Sequence, residues 1–152
     1  MHISKIFIDV NSIVRGDNYK SARDQVITDL LEKNHLVVLA ENAPNPPFNL
    51  HISIAHNKFV LQIEGDNNAV FKFDMPITPF KRIIKDYSII CSSYFEALKT
   101  AEVRKIEAID MGRRAAHNDG AEILIQQLEN KIEIDFDTAR KLFSLIYLLQ
   151  EK

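Results

Sequence analysis

Residues 50–75, LHISIAHNKFVLQIEGDNNAVFKFDM, decide the fold. Leu50, Ile52 and Ile54 alternate with polar or small residues; so do Phe59, Leu61 and Ile63, and then Phe71, Phe73 and Met75. A period of two is that of a strand with one apolar face. HNK and GDNN, the latter beginning with Gly65, are short polar links suited to hairpins. The stretch predicts a three-stranded antiparallel meander packed on one side.

Upstream, Ile6, Ile8 and Val10 alternate with Lys5, Phe7 and Asp9, which predicts a first strand over residues 2–10. Arg15–Asn18 reads as a polar turn around Gly16. Ala22, Val26, Ile27, Leu30 and Leu31 have the spacing of an amphipathic helix over 20–33, with Asn34 as its stop. LVVLA (36–40) suits a short buried strand. The three prolines at 44, 46 and 47 make the next segment a stiff loop.

Downstream the period lengthens. Thr78 as N-cap and Pro79 at the first helical position open a predicted helix over 79–98. Its stripe Phe80, Ile84, Tyr87, Cys91, Tyr94 and Leu98 is expected to lie across the open face of the sheet. A second helix is expected over 102–117, stopped by Asn118, and a third over 120–130, opened by the capping-box spacing of Asp119 and Glu122. IEID (132–135) reads as a link or edge strand. Asp137 is expected to cap a last helix over 138–150, with Ala139, Leu142, Phe143, Ile146 and Leu149 inward. Strands first and helices later predict an α+β fold. An antiparallel sheet of about five strands would occupy residues 1–77 with one helix, and three to four helices residues 78–152. The length of 152 residues suits a single domain.

Composition narrows the function classes. A net charge of −2 argues against a polyanion binder, so nucleic acid is the least favoured partner. Cys91 is the only cysteine, which excludes an internal disulfide and fits a reducing compartment. MHISKIFIDVNS lacks the pattern of a signal peptide, and no apolar run approaches the ~20 residues of a membrane span. A soluble, cytoplasmic protein with no membrane partner is expected.

The candidate site lies in KIEAIDMGRRAAHNDGAE, residues 105–122. On a regular helix Asp110, Arg113, Arg114 and His117 fall three and four apart, within one broad face. Two guanidiniums offer forked donors to a phosphate or carboxylate, His117 can donate a proton or switch charge, and Asp110 can orient either. Asn118 and a helix N-terminus at Gly120–Glu122 would add polar donors. The plainer reading needs only helix salt bridges and a histidine placed to complement the helix dipole, and it outweighs the sharper one. Lys81, Arg82 and Lys85 form a basic patch at a helix start, against the dipole; they are outer anchors in the ligand reading and a solvated face otherwise. Tyr87 and Tyr94 read as core aromatics, with Tyr87 also a ligand candidate.

Other chemistries find little support. His51 and His56, five apart, do not share a strand face, and Glu107, Asp110 and His117 lack metal-ligand spacing, so no metal site is assigned. Cys91 in the apolar stripe reads as a small hydrophobe rather than a nucleophile. No phosphate loop, nucleophile elbow or HExxH segment occurs, so no cofactor is implied. Residues 79–117 carry eight Lys/Arg against five Asp/Glu, and 118–152 four against seven. Those two parts can pair within one chain or across a dimer.

TPFKRIIKDYSIICSSYFEAL, IEAIDMGRRAAHNDGAE and KIEIDFDTARKLFSLIYLL together resemble the alphaproteobacterial uncharacterised protein family 0262. VITDLLEKN is similar to the family's early helix, while the central strands match loosely. The resemblance implies a small bacterial cytoplasmic protein and no known activity. It places Lys85, Asp86, Tyr87, Asp110, Gly112, Arg113, Arg114, His117 and Asn118 inside the family's motif blocks. Ala115-Ala116 stands where the family has Gly-Leu, and Asp119-Gly120-Ala121 where it has Glu-Gly-Ser, which removes a serine hydroxyl from the segment. Two functional readings result. The first is a non-enzymatic binding or regulatory module that acts through a protein partner or a homo-oligomer. The second is a site, enzymatic in its strong form, for a small phosphate- or carboxylate-bearing ligand on IDMGRRAAHNDG. With no catalytic constellation complete, the first is favoured.

Overall fold

In a computed structural model describing residues 2–9 and 17–150, the meander forms as its alternation requires. Strands β3 (Phe48–Ala55), β4 (Lys58–Glu64) and β5 (Val70–Pro76) are antiparallel neighbours. Leu50 faces Ile63, Ile52 faces Leu61, and Leu61 faces Phe73, so the apolar side chains share one face. Strand β1 (Ile3–Asp9) adds to β3 with Ile6 beside Leu50 and Ile8 beside Ile52. Phe48, Leu50, Ile52, Phe59, Ile63 and Met75 are completely or almost completely buried. Each such burial contributes roughly 1.5–3 kcal/mol relative to exposure.

The sheet differs from the expected one in two respects. It has four strands in the order β1-β3-β4-β5, and β1 runs parallel to β3. A parallel pair needs a crossover. Helix α1 (Asp17–Glu32) lies within that crossover. The strand β2 (Leu36–Val38) leaves the main sheet and pairs antiparallel with β6 (Ile132–Ile134). IEID is thus a strand, and it ties the two halves of the chain together. Val10 and the first half of the predicted turn at Arg15–Asn18 lie outside the described residues, and Asp17 already opens α1. The proline loop folds back on the β4–β5 turn, where Gly65 touches the backbone of Asn45 so closely that a Cβ would overlap it.

The helical half also departs from expectation at its boundaries. Thr78-Pro79-Phe80 is a 3₁₀ turn in which Thr78 makes no side-chain cap, and helix α2 proper spans Lys81–Thr100. Phe80 meets Phe59 of the sheet edge-on at 5.9 Å. The rest of the stripe does not cross the sheet. Tyr87 and Tyr94 lie along helix α3 (Val103–Leu128), at His117 and Arg113, and the neighbouring Ile90 meets Gly112. These contacts make α2 and α3 an antiparallel pair.

Helix α3 is a single element of 26 residues, where two helices were expected. Asn118 does not stop it, and no helix N-terminus exists at Gly120–Glu122. Gly120 serves packing instead. The ring of Phe143 from helix α4 (Phe136–Gln150) occupies the space a Cβ would need. The cap of α4 is Asp135, whose Oδ1 accepts the Thr138 N–H at 2.9 Å; Asp137, the expected cap, lies inside the first turn and pairs with Lys141 at 3.0 Å. Leu142, Phe143, Leu145, Ile146, Tyr147 and Leu149 are all buried, so α4 is apolar nearly all round, as a central helix must be. It packs against α3 on one side and α1 on the other, and α3 packs against α2. Among the described residues no comparable packing joins α1 to α2.

Candidate functional site

Helix periodicity brings Asp110, Arg113 and Arg114 together as the sequence predicts. Arg113 donates from Nε (2.9 Å) and from its terminal nitrogen (2.6 Å) to Asp110 Oδ1, and Arg114 Nε lies 3.1 Å from Oδ2. Both oxygens of the carboxylate are thereby used. The Arg113 guanidinium also sits 5.0 Å from the centre of the Tyr94 ring, a cation–π arrangement. Burial works against its charge, but Asp110, and then Tyr87, outweigh that and hold its pKa above the ordinary value.

Tyr87 is the joint between α2, α3 and α4. Its ring lies 5.5 Å from His117, 5.9 Å from Phe143 and 4.7 Å from Tyr147. Cys91 and Arg113 are the side chains that act on its hydroxyl. Burial, reinforced by Cys91, pushes its pKa up to about 12 against the opposing pull of Arg113, so the hydroxyl stays protonated at neutral pH.

His117 is buried, and its partners come from α4, which sequence reasoning had not connected to it. Nε2 is 2.7 Å from Ser144 Oγ, and Arg140 Nε donates to Nδ1 at 3.4 Å. Ser144 Oγ in turn donates to the Arg140 carbonyl at 3.2 Å. A guanidinium cannot accept, so Nδ1 carries the lone pair and Nε2 the proton. Hydrogen bonding therefore runs from Arg140 to His117 to Ser144 to backbone. A serine–histidine pair that activates a nucleophile needs the reverse, an acceptor at Nδ1 and a free lone pair at Nε2. Burial first, then Arg140 and Arg113, push the imidazole pKa down to about 4, which leaves it neutral at physiological pH.

The remaining candidates are dispersed. Asn118 is half-buried with its Oδ1 enclosed and without a hydrogen-bond partner among the described residues. Lys81, Arg82 and Lys85 are exposed on the opening turns of α2. Arg82 reaches Asp86 at 3.9 Å, and among the described residues none of the three shares a hydrogen bond or ion pair with the Arg113 cluster.

The open side between α1 and α2 forms a cleft of about 700 Å³. Its walls are Ala22 and Val26 of α1, Tyr87, Ser88, Cys91, Ser92 and Phe95 of α2, and Ser144, Tyr147 and Leu148 of α4. No Lys, Arg, Asp or Glu is among these lining residues. Phe95, at the rim, is 61% exposed. The cluster behind the wall reaches the cleft through Tyr87 and Ser144. Sequence reasoning named Tyr87 and missed Arg140, Ser144 and Tyr147. Their signal was the polar spacing of 140 and 144 inside an otherwise apolar helix. Among the described residues no helix is long and apolar enough to cross a membrane.

The whole span 1–152 matches the model of the uncharacterised protein family UPF0262. A UPF0262 protein of Nitrobacter winogradskyi is 43% identical over 152 residues, covering 99% of this chain and 90% of the relative. One of Rhodopseudomonas palustris is 44% identical over 152 residues, covering 99% and 92%. One of Jannaschia sp. is 41% identical over 151 residues, covering 98% and 97%. No solved structure matches the chain.

Proposed function

The chain belongs to the uncharacterised protein family UPF0262, whose name carries no activity, and from the geometry above we propose that it is a non-enzymatic binding module holding a small, neutral, largely apolar molecule in the cleft between α1, α2 and α4. The observation that carries this reading is the lining itself. Aromatic and aliphatic walls carry a few hydroxyls and a thiol and, among the described residues, no charge, within the size range of small-molecule sites. The reading as a module rather than an enzyme is supported by the polarity of the His117–Ser144 bond, which withholds a base from Ser144.

Titration with Nile red, a neutral solvatochromic dye, tests it. Saturable one-to-one binding is expected, abolished by Ser92→Trp, which fills the cleft, and retained in Arg114→Ala. Absence of saturable binding, or binding indifferent to Ser92→Trp, would overturn the proposal.

A second reading, a phosphate or carboxylate bound on IDMGRRAAHNDG, draws its support from Arg114. That side chain is 68% exposed and engages Asp110 through Nε. Arg113 supports it less, because Nε and a terminal nitrogen are both directed at Asp110. Thermal unfolding against inorganic phosphate and small carboxylates separates the two, since a ligand at ~100 times its Kd adds about 2.7 kcal/mol. A shift lost in Arg114→Ala favours the anion; no shift removes it.

A further inference from the structure

Strand β5 ends the sheet, and among the described residues no element pairs with its outer side. Its hydrogen-bond phase is fixed at both ends. Gly65 N–H donates to Ala69 O at 3.0 Å, and Ile77 N–H to Asn57 O at 3.2 Å, so Ala69 and Ile77 face β4. The antiparallel ladder alternates, and the β4–β5 register runs without a bulge. Phe71, Phe73 and Met75 therefore bond inward, while Val70, Lys72 and Asp74 present their N–H and C=O groups outward. A seven-residue edge of this kind is a template for another strand.

The sequence along that edge is self-complementary. We propose that β5 is a homodimer interface, on which a second copy of this chain adds its own β5 antiparallel about a two-fold axis at Phe73. In that register Lys72 stands opposite the second copy's Asp74, and Asp74 opposite the second copy's Lys72. These are the outward-bonding positions, so the two ion pairs flank backbone hydrogen bonds. Neither side chain makes an ion pair within the chain among the described residues. On the other face Phe73 meets its own counterpart and Phe71 meets the second copy's Met75. Phe71 and Phe73 are only partly buried, so the helical layer stops short of the edge and leaves room for this contact. Val70, 54% exposed, comes opposite the second copy's Pro76. The product is one continuous eight-stranded sheet, four strands from each copy. The charge pattern selects a second copy over an unrelated strand, because Lys-Phe-Asp matches only a strand that carries the opposite charges in reverse order. The inference rests on the sheet edge and is independent of the cleft.

Sedimentation velocity of the full chain over a concentration series tests it, with circular dichroism to verify folding of each variant. A reversible dimer is expected. Lys72→Asp places like charges opposite each other twice and is expected to weaken it roughly tenfold or more. The charge swap K72D/D74K recreates both pairs and is expected to restore it. Lys72→Pro deletes an outward N–H that β4 does not use, so it should abolish the dimer while the fold survives. A wild-type chain that stays monomeric at every concentration overturns the proposal. So does a dimer indifferent to Lys72→Asp and Lys72→Pro, or one that the charge swap fails to restore.

Discussion

The ring of Phe143 lies where a side chain at Gly120 would have to be, and this contact sets the distance between α3 and α4. In an exposed helix interior, glycine to alanine is stabilising by roughly 1 kcal/mol. Here the added methyl must displace an aromatic ring that is completely buried. Gly120→Ala is expected to destabilise by about 1–3 kcal/mol, the usual cost of overpacking. In a Phe143→Leu background the same change should cost clearly less. Urea denaturation of the four proteins of this cycle measures the coupling. A neutral or stabilising Gly120→Ala would show that the contact does not hold the helices.

The neutral imidazole of His117 makes an acid-range prediction whose sign follows from its lowered pKa. The folded protein binds that proton only near pH 4, whereas the unfolded chain binds it near 6.5. Between those values the unfolded state carries more protons, so stability falls as pH falls. The contribution is complete above about pH 6.5 and is lost on the way down to about pH 4, for a total of about 3 kcal/mol. In His117→Asn this dependence is absent. Denaturation curves of the two proteins at pH 7 and pH 4.5 should therefore converge toward acid. Parallel loss of stability in both would place the imidazole outside the acid response.

The meander and the apolar periodicity of the helices were legible because each is a local pattern read over consecutive residues. Leu50, Phe59 and Phe73 announce their face by alternation alone. The Asp110–Arg113–Arg114 cluster was legible for the same reason, since spacings of three and four fix neighbours on one helix. What escaped reading depended on distant partners. Asn118-Asp119-Gly120 has the local signature of a helix break, yet the helix continues, because Gly120 answers to Phe143, more than twenty positions away in the chain. Leu36 looked like part of the main sheet, and its partner is Ile134. Arg140 and Ser144 drew no reading from the sequence, because their partner His117 lies on a different helix.

Asp110 and Arg114 are expected to differ sharply in weight. The Asp110 side chain is 20% exposed and serves two guanidiniums, one of them the partly buried Arg113. Asp110→Ala removes the main partner of Arg113 and leaves it with Tyr87 and Tyr94, a loss of about 1–3 kcal/mol. Arg114, more exposed, should cost less than about 1 kcal/mol when changed to alanine. Thermal unfolding at low and moderate salt reads both. The Arg114→Ala difference should shrink with salt, and the Asp110→Ala difference should largely persist. Equal effects of the two changes would assign the cluster to surface electrostatics alone.

The start of α4 offers a test of which aspartate caps it. Asp135 Oδ1 accepts the Thr138 N–H, and the buried Thr138 hydroxyl accepts the His35 N–H at 2.9 Å, so this cap also fastens β2 to α4. Burial would raise the Asp135 carboxyl, but hydrogen bonds from Thr138, with His35 and Lys33 nearby, hold it below the ordinary value. A carboxyl held low in the folded state contributes stability that is present above its unfolded pKa and is lost as pH falls through the folded one. Asp135→Ala is expected to cost about 1 kcal/mol, the common value for a lost cap. Asp137→Ala should cost less, since Asp137 contributes only an exposed pair with Lys141. Asparagine is an equally good cap without a titrating proton. Asp135→Asn should therefore keep most of the stability at neutral pH and lose less of it in acid than the wild type. If Asp137→Ala were the more costly change, the helix would begin where sequence spacing alone had put it.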